Sequence, residues 1–175
     1  MTKKAEFKPN LSLLEVLLLF AYFTVLIIGG IILVILTMLS RYSDTLAINS
    51  FAFCLIGSIG SCLMGGGIYY LRKIYKFSLA DKFINSPENK FAKLATLFYF
   101  YTRPLFGICF TLICILTFNS GLITITQTDL AITNNYIDLL MVLSFIIGFC
   151  TGDILSKFED ESSKLIEKLI TKKEL

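Results

Sequence analysis

Arg103-Pro104-Leu105-Phe106-Gly107 stands where an aromatic run, Phe98-Tyr99-Phe100-Tyr101, gives way to residues 108–118, which carry no charge at all. An arginine followed by proline at such a border reads as the cytoplasmic mouth of a membrane helix. Proline suits the first turn of a helix, where its missing N–H has no partner to lose. The guanidinium can stay at headgroup level while the rings lie in the interface. The third membrane helix is therefore expected at 104–118, extended on one or both flanks because that span alone is short for a crossing. Residues 91–101, where apolar and polar side chains mix, read as a separate amphipathic helix lying at the interface.

Working outward, three further apolar runs are long enough to cross a bilayer, which takes about 20 residues. Residues 11–39 contain Glu15 as their only charge and read as a signal anchor that stays in the protein. Glu15 is placed to reach headgroups or a basic partner; the sharper reading is a functional intramembrane carboxylate. Residues 46–71 form the second run and residues 137–155 the fourth. Their common feature is small residues at four-residue spacing: Gly57, Ser61 and Gly65 in one, Ser144, Gly148 and Gly152 in the other. Such stripes let helices approach closely where burial from water gives no drive, within one chain or between copies. A permeation path lined by the second-helix stripe is the alternative. Residues 123–126 alternate Ile and Thr and read either as a short extended segment or as the end of the third helix. Residues 156–175 continue the fourth helix into water, with Phe158, Leu165 and Leu169 on a short coiled-coil-like seam. That tail is either a solvated helix or a docking and oligomerisation helix.

The composition agrees with this architecture and narrows the chemistry. The chain has 175 residues, 55% of them hydrophobic, and a mean hydropathy of +0.76, too apolar for an ordinary soluble domain. Histidine is absent, which removes imidazole bases and His-containing zinc sites. The cysteines, 54, 62, 109, 114 and 150, all lie in apolar runs without a CxxC spacing. They read as small packing hydrophobes, with no disulfide framework or metal site. No nucleophile–base pair, phosphate-binding glycine loop or paired carboxylate is present, so no enzyme activity and no cofactor are expected.

Charge placement orients the chain. Of the sixteen Lys and Arg, fourteen fall in the N-terminal segment, the connection from Arg72 to Lys93 or the tail, Arg103 stands at the entry of the third helix, and the other two loops hold only Arg41. The positive-inside rule then puts both termini and the connection in the cytoplasm, an arrangement that requires an even number of crossings. The expected fold is an all-α, four-helix integral membrane protein. Glu15, Arg103 and Asp153 are expected at the inner boundary as a charge clamp. Arg72, Lys73, Lys76, Lys82, Lys90 and Lys93 form a basic surface for anionic lipid or a cytosolic protein; direct nucleic-acid binding is not expected.

The order Gly60 to Gly67, Tyr70-Leu71-Arg72-Lys73-Ile74-Tyr75, Arg103-Pro104-Leu105-Phe106-Gly107, Ser120-Gly121-Leu122 and FIIGFCTGD (145–153) resembles a bacterial four-helix inner-membrane family. Among small four-helix defence proteins, the chain resembles the membrane-subunit family of the Kiwa antiphage system, KwaA. That resemblance implies a homo-oligomer, such as a tetramer, that detects phage and works with a cytosolic DNA-binding partner. The expected function is thus a non-enzymatic membrane sensor or scaffold. The alternatives are a pore-forming effector or channel that depolarises the membrane, and a small transporter subunit.

Overall fold

The computed structural model describes residues 11–40, 50–79, 90–126 and 134–171, and these form four α-helices. They are α1 (Leu13–Ser40), α2 (Ser50–Leu79), α3 (Lys90–Thr126) and α4 (Asn134–Thr171). Each contains a stretch long and apolar enough to span a membrane: Leu13–Ser40, Phe51–Ser78, Lys93–Ser120 and Asn135–Phe158.

A capping box sets the start of α1. Ser12 N and Oγ each donate to Glu15 Oε2 at 2.9 Å, and Val16 N–H closes the first turn on Ser12 O at 3.0 Å. A carboxylate in this position also faces the positive end of the helix dipole. Farther along the bundle, hydroxyls that would be costly in an apolar setting turn back on their own helices. Thr37 donates to Leu33 O, Thr117 to Ile113 O, Ser144 to Leu140 O and Thr151 to Ile147 O, at 2.6–2.9 Å. Each satisfies its donor within one turn and leaves the packing faces to carbon.

Burial identifies α2 as the central helix. Half of its membrane-length stretch is covered, against 17% for α1, and it packs extensively on both α1 and α4 and less so on α3. The reason is thinness. A Cβ added at Gly60 would stand 2.7 Å from Leu33 Cβ and 2.9 Å from Gly30 O, and one at Gly67 would stand 2.6 Å from Ile27 Cγ1. These positions bring α1 against α2 almost backbone to backbone. On α1 the matching buried residues are Phe23, Gly30 and Thr37, spaced seven apart as in helices crossing at a shallow angle. On the other side, Cβ atoms at Gly65 and Gly148 would collide with the carbonyl oxygens of Phe145 and Cys62.

Two apolar clusters pin the ends of the bundle. One joins Leu19 and Phe23 of α1 with Tyr70 and Ile74 of α2 and Phe100 of α3. The other joins Cys54 of α2, Ile115 of α3 and Ile137, Leu140 and Met141 of α4. The outward face of α1 (Leu14, Leu17, Leu18, Val25, Ile32 and Leu36 among others) is exposed and predominantly aliphatic. A bare apolar surface of this extent suits lipid, not water.

The third helix differs from its expected form. It begins at Lys90 and runs unbroken to Thr126, with Pro104 inside it and no separate interfacial helix at 91–101. Nothing between Lys90 and Thr102 breaks a helix; the proline removes the hydrogen bond that its own N–H would have made and crowds the Phe100 carbonyl one turn back, yet the helix continues through it. Thr102 Oγ1 donates to Phe98 O at 2.8 Å in that turn, and such local hydroxyl bonds help apolar helices tolerate proline. Residues 123–126 finish this helix. The first helix starts at Leu13, two residues later than expected, and the fourth runs continuously through the expected tail to Thr171. The start of the second run, 46–49, lies outside the described residues.

Candidate functional site

Polar side chains gather at the end of the bundle where α2 leaves and α3 enters. Tyr69, Arg72, Lys73 and Lys76 fall zero, three, four and seven residues along α2, which places them on one face. On α4, Phe149 and Asp153 are one turn apart and look toward that face. Tyr69 ties the two helices together: its ring meets Phe149 edge-on at 5.5 Å, and its hydroxyl donates to Asp153 Oδ1 at 3.1 Å. These six residues line an open crevice of about 330 Å3.

Aromatic rings and cations form the wall nearest α3. Lys73 Nζ donates to Tyr99 Oη at 3.0 Å and lies 5.9 Å from the Tyr69 ring centre and 5.3 Å from that of Tyr99. The Arg103 guanidinium sits 4.2 Å above the same Tyr99 ring. Arg103 is only 6% exposed, and its Nη1 and the Tyr70 hydroxyl are both buried without a hydrogen-bond partner. Tyr70 stacks on Phe23 at 5.5 Å, and its oxygen lies 2.8 Å from where a Cβ at Gly152 would stand. Glycine at 152 is what lets this hydroxyl reach α4.

The three residues expected as one clamp are dispersed. Glu15 Oε1 pairs with Lys93 Nζ at 2.9 Å, Asp153 takes the Tyr69 hydroxyl, and Arg103 rests on Tyr99. The physical reason is the early start of α3. Lys93, not Arg103, reaches the level of Glu15, and ten residues farther on Arg103 is about 15 Å deeper along the helix axis. Arg72, Lys73 and Lys76 do share the crevice. Lys82 lies outside the described residues, as do the side chains of Lys90, Leu165 and Leu169. Phe158 stacks on Phe110 at 6.4 Å.

The small-residue stripes meet inside the chain. Gly65 lies against Phe145, Gly148 against Cys62, and Gly57 between Thr37 and Met141; Ser61 and Ser144 are buried. Two contributors have packing roles that the sequence pattern does not assign. Gly60 lies off the Gly57/Ser61/Gly65 stripe and serves α1, and Tyr99, one ring of the aromatic run, holds Lys73 and Arg103. Spacing on one helix names a face but not the neighbour it meets. Among the described residues, no group of three or more His, Cys, Asp and Glu side chains forms a metal-binding cluster.

The described residues are almost entirely helical, with four helices long and apolar enough to span a membrane. No protein-family model matches it, and no curated protein or solved structure matches it significantly.

Proposed function

We propose that the chain is a multi-pass membrane sensor or scaffold without enzyme activity, set in a bacterial inner membrane with both termini and the α2–α3 connection in the cytoplasm. The observation that carries this reading is the segregation of charge along the chain: of sixteen Lys and Arg, all but Arg41 and Arg103 fall in the N-terminal segment, the stretch from Arg72 to Lys93 or the tail, and the described ones lining the crevice gather at one bundle end. That end offers a basic, aromatic platform, while the opposite loops offer almost no cation. The resemblance to the Kiwa membrane-subunit family adds a setting, antiphage defence, and a partner class, a cytosolic DNA-binding protein recruited by an oligomer.

The second-helix glycines bear on the pore alternative. They are filled by α1 and α4 within one chain, so a path lined by them would have to open that packing or run between copies. Two experiments test the proposal. Cytosol-dependent fluorescent reporters fused at either terminus should light, and periplasm-dependent phosphatase fusions there should stay silent. Capture of a DNA-binding partner from detergent extracts should be lost on charge reversal across 72–93 or on deletion of 156–175. Unchanged capture by both variants refutes the platform, and ion flux through the purified protein in liposomes would favour the pore.

A further inference from the structure

We propose that the crevice between α2 and α4, lined by Tyr69, Arg72, Lys73, Lys76, Phe149 and Asp153 and backed by Arg103, is a binding site for a phosphate group. It does not depend on partner recruitment.

Three observations converge on that chemistry. The first is charge: three cations and a single carboxylate line about 330 Å3, and the carboxylate already accepts from Tyr69. A phosphomonoester carries about −1.5 to −2 charges at neutral pH and three acceptor oxygens, which matches this surplus better than one carboxylate would. The second is the unused donor. Arg103 Nη1 is buried and unpartnered behind Tyr99, the ring whose hydroxyl Lys73 holds. A buried guanidinium in an apolar bundle is costly unless an anion lies near it, and the fork of Arg72, which does line the crevice, fits phosphate oxygens bidentately. The third is the mixed wall. Tyr69 and Phe149 give the crevice an apolar flank beside its cations, which suits a phosphate attached to an organic group.

That group is either the glycerol end of an anionic phospholipid or the body of a soluble phosphorylated ligand; the phosphate contacts are the same. Tyr69 and Asp153 fix the width of the opening. Arg72 and Lys76, exposed on α2, provide the outer contacts and Lys73 the inner one, while Arg103, buried behind Tyr99, adds its charge from within.

The test uses the full chain in nanodiscs of zwitterionic phosphatidylcholine. One arm adds dioleoyl phosphatidic acid to the disc and counts bound lipid by native mass spectrometry; the other titrates inorganic phosphate and ATP from solution. Arg72→Gln with Lys76→Gln changes only exposed side chains and should weaken binding of whichever probe is used at least tenfold. Arg103→Met should do the same while sparing Arg72 and Lys76. Phosphatidic acid retained in preference to phosphatidylcholine and lost in the variants names the lipid source; saturable ATP or phosphate binding lost in the variants names the soluble one. Failure of both probes to bind, or binding that survives the R72Q/K76Q pair, overturns the site.

Discussion

Gly148→Ala is the smallest change that tests how the bundle is held together. The added Cβ would collide with the Cys62 carbonyl oxygen and stand 2.9 Å from its carbonyl carbon and 3.0 Å from its Cα. Relaxed carbon contacts are about 3.5–4.0 Å, so α2 and α4 must part by about 0.5–1 Å at this crossing, forfeiting about a quarter to a half of the local dispersion energy. Overpacking costs about 1–3 kcal/mol, and the upper end applies because all three obstructing atoms are backbone and no rotamer change relieves them. Replacing glycine by alanine in a helix returns about 0.5–1 kcal/mol. The net loss is about 2 kcal/mol, a shift of up to about 30-fold in the folded-to-unfolded ratio. Gly29→Ala is the control, since nothing lies within 4 Å of its Cβ position; there only the helix gain remains, and stability should rise. Equilibrium unfolding in mixed micelles, followed by circular dichroism, reads both signs. Equal midpoints for the two variants would refute the close α2–α4 approach.

The Glu15–Lys93 pair, 18% and 37% exposed, should contribute about 0.2–1 kcal/mol; a double-mutant cycle with Glu15→Gln and Lys93→Gln measures it, and strict additivity would contradict the contact. Cys54 and Cys62 are 0% and 2% exposed, so single-cysteine chains bearing either one should resist maleimide in native micelles and react only on denaturation, monitored by gel shift. Asp153→Ala should lower the unfolding midpoint slightly through loss of the Tyr69 hydrogen bond, worth about 1 kcal/mol in general, and Tyr69→Phe should add nothing further. An additional loss in that double variant would show that the two side chains act separately.

Much of the architecture was legible in the sequence because apolar length is a strong signal. Four apolar runs gave four helices, and the helical spacing of Phe158, Leu165 and Leu169 agreed with a fourth helix reaching beyond its apolar stretch. Pro104 misled because proline fits two places, a first turn and an apolar helix interior. The deciding clue was negative: residues 90–102 contain no glycine, asparagine or second proline to end a helix before Arg103. That error carried into the site. A helix entry at Arg103 leaves Lys93 on an interfacial surface and brings Arg103 level with Glu15; the basic partner that Glu15 meets is Lys93. The Ser12-Leu13-Leu14-Glu15 capping box was also readable, but a lone charge in an apolar run drew attention to function over capping. Aromatic partners such as Tyr99 and Phe149 carry no spacing signature. Only the packing of three helices reveals that they frame cations.

The thinness of α2 also sets an order of assembly. Its α1-facing glycines can be satisfied as soon as the first two helices exist, because α1 precedes it in the chain. Its opposite groove, at Cys62 and Gly65, closes on Phe145 and Gly148, which are synthesised after the whole of α3. The emerging protein therefore passes through a stage in which a finished hairpin carries an open, backbone-lined furrow along its central helix. Until α4 arrives, that furrow can accept any small-faced helix nearby, including α4 of a neighbouring copy. The device that makes the single chain compact is thus the one most exposed to exchange between chains during biogenesis.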